Sequence, residues 1–279
     1  MGDVKKRSVL SFGKELVARI QRDEIPSLSA ELAYYFLLSM FPFLIFLITL
    51  IGFLPLQVPD ILQMIDEFAP EQTMSMIESN LTTVIGQQNG ELLSIGLIAT
   101  IWSASNGINA IVRAFNRAYQ VEENRPFIVA RGMSILLTFA MIFIIVVALL
   151  LPVFGQMIGL YLFSTLGLSE TFLAIWSASR WIISSAILFI VFMALYYFAP
   201  NKHLLARNVA KGAAFATIGW MAVSLAFSYY VNNFSNYTAT YGSLGGIIVL
   251  LIWLYLSGMI IVIGGEINAM FYERRKREA

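Results

Sequence analysis

The chain reads as an all-α, polytopic membrane protein with six transmembrane helices and both termini cytoplasmic, and three observations carry that reading. Of its 279 residues, 58% are hydrophobic and 13% charged, with a mean hydropathy of +0.76, against about a quarter charged in soluble domains. Apolar stretches recur that are too long for a buried core helix, the plainest being YGSLGGIIVLLIWLYLSGMIIVIGGE at 241–266; about twenty such residues cross a bilayer. Once six spans are drawn, every Lys and Arg except Arg180 falls on one side, which the positive-inside rule makes cytoplasmic.

Residues 1–28 are expected to form a cytoplasmic interfacial helix, because Val9, Leu10, Phe12, Leu16, Val17 and Ile20 share one side while Lys14, Arg19 and Arg22 lie elsewhere on the wheel. The charged start is not the apolar run of a signal peptide, and Gly2 lacks the Ser or Thr of a myristoylation signal, so neither cleavage nor lipidation is expected. Pro26 and Ser27 break that helix. Ser29 can cap the first span, 32–54, which Pro42 should kink. Residues 55–91 carry Asp60, Asp66, Glu67, Glu71, Glu78 and Glu91 without Lys or Arg, which puts them outside, and Ile61, Leu62, Met64, Ile65 and Phe68 predict short amphipathic helices there.

The second span, 92–112, is the most polar, with Ser94, Thr100, Ser103, Ser105, Asn106 and Asn109 inside it; Arg113, Arg117, Arg125 and Arg131 then mark a cytoplasmic loop. The third, 132–152, is followed by a small-residue pair, Gly155 and Gly159. The fourth, 176–199, has Trp176 and Trp181 as an interfacial belt and Arg180 near the outer boundary, where it snorkels to headgroups. The pentapeptide IWSAS stands at 101–105 and again at 175–179, which allows a repeat of helical hairpins. Lys202, His203, Arg207 and Lys211 form the next basic loop. The fifth span, 212–231, and the sixth, 244–266, precede a basic tail at 267–279.

Several chemistries are excluded. There is no cysteine and one histidine, His203, so neither a thiolate site nor a His-paired metal motif can be built. No Walker loop, GxSxG elbow or HExxH occurs, and a net charge of +1 offers no footprint for nucleic acid. The expectation is a non-enzyme without catalytic residues, cofactor, metal or nucleic-acid partner. What remains is a set of polar groups at membrane depth, which must face a partner or water. Trp102, Asn106, Asn109 and Arg113 fall at helical spacing on one face, either as interhelical hydrogen bonds or as a solute-lining surface. Glu31 and Glu266 lie at cytoplasmic ends of spans, at the depth of Arg113, Arg117 and Lys211. They form ion pairs across the bundle mouth, with Arg113 the first choice for Glu266, or a carboxylate pair exchanging protons or cations. Tyr34 and Ser39 add polarity to the first span. Gly242 stands at the outer entry of the sixth, and Gly264 and Gly265 are packing notches or a cavity wall.

The segments ELAYYFLLSMFPFLI, IWSASNGINAIVRAFNRAY and YGSLGGIIVLLIWLYLSGMIIVIGGEIN, in this order and spacing, resemble the YihY/BrkB family of bacterial membrane proteins over nearly the whole chain. The resemblance implies six helices in a bacterial cytoplasmic (inner) membrane and transport as the activity most often suspected; it also implies that the family's old ribonuclease BN label was a misassignment. By its pattern Glu31, Tyr34, Pro42, Trp102, Asn109, Tyr241, Gly242, Gly265 and Glu266 are carried over as site positions. The expected function is ATP-independent transport or flipping of a small or amphiphilic solute, with membrane lipids as partners and a homo-oligomer allowed. The alternative is a non-transporting membrane protein, an envelope scaffold or accessory subunit, that binds lipid or a protein partner.

Overall fold

The computed structural model describes residues 2–51, 53, 89–142, 170–234 and 244–278. The outer segment before Asn89, the Gly155 and Gly159 pair, Tyr241, Gly242 and the side chain of Arg180 lie outside the described residues. Seven helices are described: α1 (Gly2–Arg22), α2 (Ile25–Ile51), α3 (Gly90–Ala118), α4 (Phe127–Ile142), α5 (Glu170–Phe198), α6 (Ala206–Phe234) and α7 (Leu244–Glu278). There is no strand among the described residues. Among the described residues five stretches are long and apolar enough to cross a membrane: Ile25–Phe46, Gly90–Ala118, Trp181–Phe198, Ala206–Val231 and Gly245–Arg277; α4 is a shorter apolar helix. The protein is an all-helical, polytopic membrane protein.

The start of the first span differs from the sequence expectation. The break falls at Asp23 and Glu24, where Glu24 takes a φ of 53° and closes α1 in the left-handed region. The Glu24 carbonyl then accepts the Leu28 N–H at 3.1 Å, so α2 begins at Ile25. Pro26 therefore opens α2, where a missing N–H costs nothing, instead of breaking the chain there. Ser29 is not a cap; it lies inside the helix and its hydroxyl donates to the Ile25 carbonyl at 2.7 Å. The helix continues through Pro42. The tail at 267–279 is likewise no separate segment, because α7 runs unbroken to Glu278 and buries Asn268, Ala269 and Met270 completely.

The chain divides into two compact units, one of 1–34 with 105–279, the other of 35–104. In the smaller unit α2 and α3 approach closely: a Cβ on Gly96 would come within 3.0 Å of the Phe46 backbone nitrogen. The hydroxyls of Ser39, Thr49 and Thr100 are satisfied within their own helices, on Phe36, Ile45 and Gly96. The apolar side chains Leu38, Phe41, Leu44, Ile95 and Ile98 point outward, as lipid-facing residues must.

In the larger unit α7 is the central helix, and glycines let its neighbours come close. A Cβ on Gly264 would overlap the Tyr196 hydroxyl, and one on Gly265 would strike the Phe115 ring. One on Gly212 of α6 would overlap the Gly264 carbonyl and the Asn268 side chain. Such contacts are how membrane helices gain packing energy without a hydrophobic driving force. Polar bonds lock them: Gly212 N–H donates to Asn268 Oδ1 at 2.6 Å, and the Tyr196 hydroxyl donates to the Ile261 carbonyl at 2.8 Å. Further along, Trp253 packs edge-on to Trp220 at 5.8 Å and donates to Ser224 at 3.3 Å.

Candidate functional site

Many charges of the larger unit lie where α1 packs against the last turns of α7 and Phe12 meets Phe271 at 5.1 Å. Glu15 and Arg19 of α1, and Asp23 in the turn that follows it, stand at four-residue intervals and so lie toward one side. That side turns into the protein. Arg19 is 5% exposed and Asp23 6%. The Arg19 guanidinium reaches Glu273 at 2.5 Å, Glu15 at 3.4 Å and Glu266 at 3.6 Å.

Glu266 itself is 1% exposed, and neither of its carboxylate oxygens accepts a hydrogen bond. At 3.6 Å its contact with Arg19 is an ion pair without a shared proton. Arg22 holds the Asp23 carboxylate in two bonds, at 3.1 and 2.7 Å. Arg117 donates to the Asp23 carbonyl at 3.0 Å and pairs with Glu24 at 3.3 Å. Three carboxylates, of Glu15, Glu266 and Glu273, thus share the one buried Arg19, and a buried charge left incompletely compensated costs several kcal/mol. Beside it the Tyr119 hydroxyl has no hydrogen-bond partner, and burial pushes it well above the usual phenol range, with Tyr272 and Glu266 adding to the effect.

A second polar region joins the end of α3 to the start of α4 around a cleft of about 220 Å³ lined by Asn109, Arg113, Asn116, Glu123, Arg125 and Arg131 among others. Arg125 grips Glu123 with two bonds of 2.6 Å and reaches the Ala199 carbonyl at 3.0 Å. Asn116 donates to Glu123 at 2.9 Å and accepts the Asn201 N–H at 2.7 Å. These bonds, the Arg125 side chain first, hold the Glu123 carboxyl below the usual carboxylate range. Arg113 pairs with Glu31, both partly exposed.

The positions singled out from the sequence are thus divided. Glu31 lies against Arg113, and Glu266 against Arg19 in place of the Arg113 expected for it. Asn109 accepts a hydrogen bond from Ser134, and Asn106 accepts one from Arg131 at 2.9 Å, so both carboxamides bond α4. Gly265 is filled by Phe115. Tyr34 and Trp102 are 58% and 60% exposed, and Ser39 bonds its own helix. Arg19 is the correction of most consequence: placed off the apolar side of an interfacial helix, it is instead buried against α7, together with Asp23. The four-residue spacing of Glu15, Arg19 and Asp23 was the available signal. Among the described residues no three His, Cys, Asp or Glu side chains converge as a metal site.

The family model described as virulence factor BrkB matches residues 16–279. A ribonuclease-like protein, YfkH, of Bacillus subtilis (strain 168) is 57% identical over 267 residues, covering 96% of this chain and 97% of its own length. A UPF0761 membrane protein of Alteromonas mediterranea is 26% identical over 278 residues, 94% of this chain and 89% of its own. Another from Vibrio campbellii is 27% identical over 271 residues, with 95% and 83% covered. No solved structure matches. With the family model matching residues 16–279, and an all-helical membrane architecture among the described residues, the chain belongs to the virulence factor BrkB family of membrane proteins.

Proposed function

We propose that this protein is an ATP-independent transporter or flippase of a small or amphiphilic solute in the bacterial cytoplasmic membrane, with its basic end and both termini facing the cytoplasm. The observation that carries the reading is Glu266: an ionisable group on a spanning helix, fully buried, with no hydrogen bond to either oxygen. Ionisable residues in spans are expensive, and their usual use is on solute or ion pathways. Its partner Arg19 comes from α1, outside the spans, so the charge on Glu266 and the docking of α1 on α7 depend on each other. A change in the charge of Glu266 alters its pairing with Arg19, which also holds Glu273, and with it that docking. Such a two-state element at one end of the bundle is what alternating access needs.

The test is flux of solutes and fluorescent lipids into or across liposomes holding the purified protein, with and without a proton gradient. Glu266→Gln should leave the protein folded and abolish the gradient-driven component. Gradient-independent behaviour, identical in wild type and Glu266→Gln, would remove the coupling role. A second reading has its own support: Asn106 and Asn109 bond α4, as in a bundle built for packing, which favours a non-transporting protein that binds lipid or a protein partner. Absence of any flux or scrambling would select it. The name of the Bacillus subtilis relative suggests a nuclease, but the carboxylates of Glu15, Glu31, Glu123 and Glu273 are engaged with arginines of the same chain, which does not favour that reading.

A further inference from the structure

The first turns of α6 and the last turns of α7 enclose a cleft of about 250 Å³ lined by Arg207, Asn208, Lys211, Phe271, Arg274 and Arg275. All the charged residues of this lining are cations. Internal neutralisation is slight: Arg274 reaches Glu15 at 3.2 Å, but Glu15 is shared with Arg19. Arg275 donates to the neutral Asn208 at 3.0 Å, and the Lys211 ammonium rests 3.6 Å from the centroid of the Phe271 ring. Arg207 forms no ion pair among the described residues. Like charges held around one concavity repel, and an anion seated among them relieves the repulsion while gaining charge-assisted hydrogen bonds from planar guanidinium groups.

From this geometry we infer an anion site for a phosphate group, the phosphate being that of an acidic lipid headgroup. Three observations select that occupant. At about 250 Å³ the cleft is smaller than the roughly 300–1,000 Å³ of pockets for drug-sized ligands, which suits a headgroup phosphate better than a whole nucleotide. The apolar stretch and its continuation, Gly245–Arg277, comprise 33 residues, so at about 1.5 Å per residue the helix is far longer than the roughly 30 Å hydrocarbon layer, and its last turns stand at headgroup level. The floor is amphipathic, with Phe271 and the neighbouring Phe12 beneath the cations. Basic pockets between helices at such a level recognise anionic lipid headgroups. The site is independent of the role given to Glu266.

The experiment measures the thermal unfolding midpoint of the purified full chain, by tryptophan fluorescence, in detergent micelles doped with phosphatidylglycerol or with phosphatidylcholine. A parallel series compares inorganic phosphate with chloride at equal ionic strength. The cleft variant is Arg207→Gln with Arg275→Gln. The control is Lys276→Gln with Arg277→Gln, exposed cations that do not line the cleft. Phosphatidylglycerol should stabilise wild type and control above phosphatidylcholine, and the cleft variant should need on the order of tenfold more of it for the same shift. A response to phosphatidylglycerol alone identifies the lipid as the source; an equal response to free phosphate keeps the anion site but removes the lipid assignment. Equal shifts in wild type and cleft variant, or an equal loss in the control, would overturn the site, since the effect would then be general surface charge.

Discussion

Two acid–arginine pairs of similar composition stand in the larger unit, and they differ in the property that sets their energetic weight. Glu31 and Arg113 have side chains 33% and 54% exposed, so solvent screens them and supplies alternative hydrogen bonds. Glu266 and Arg19 are 1% and 6% exposed, and neither Glu266 oxygen has a donor. A solvated pair is worth little whether present or absent, whereas a buried one is costly to disrupt, because the group left behind has nowhere to place its charge. The contrast separates a pair at the surface of the bundle from one on which the docking of α1 depends.

The strongest way to break this comparison is Arg19→Met, which leaves Glu266, Glu273 and Glu15 without their shared cation. It should lower unfolding stability in detergent by about 3–5 kcal/mol. A loss below about 1 kcal/mol would put the cluster on a par with an exposed pair. In a double-mutant cycle, Arg19→Met and Glu266→Gln should be non-additive, while Glu266→Gln and Arg113→Gln should add.

Next in size is Gly212→Ala. The new methyl group would overlap a backbone carbonyl, that of Gly264, which cannot swing aside, so destabilisation of about 1–3 kcal/mol or more is expected. Gly246→Ala, with nothing within 4 Å, should be neutral or gain up to about 1 kcal/mol from helix propensity. Equal effects of the two substitutions on the unfolding midpoint would mean that α6 and α7 do not meet at Gly212.

The exposed side of the comparison is sharpened by pH. The carboxyl of Glu123 is depressed in the folded protein, chiefly by Arg125, so its contribution to stability is fully present above the ordinary glutamate value of about 4.3 and is lost as pH falls through the lower folded value. The thermal midpoint of Glu123→Gln should therefore decline less than that of wild type as pH drops below about 4. Parallel curves would show that Glu123 gains nothing from Arg125 on folding. Smallest of all is Glu31→Gln, expected to change stability by about 0–1 kcal/mol; a loss of the size predicted for Arg19→Met would erase the distinction between the pairs.

What the sequence by itself determined is what depends on composition and local order. Apolar length marks spans such as that ending at Glu266, and segregated Lys and Arg divide polar ends by sign, because transfer of a residue into lipid is set largely by its own chemistry. The glycines at 264 and 265 were recognisable as notches for the same reason. Which side chain fills a notch, or which cation meets Glu266, was decided only by tertiary structure. Arg113 and Arg19 carry the same charge at the same end of the bundle, and the choice between them follows from the angle at which α1 docks on α7. That angle is a property of two distant segments packed together, through Phe12 on Phe271 and Arg19 on Glu273. The start of α2 was missed for a related reason: Pro26 is equally compatible with ending one helix and opening the next, and the left-handed turn at Glu24 settles which.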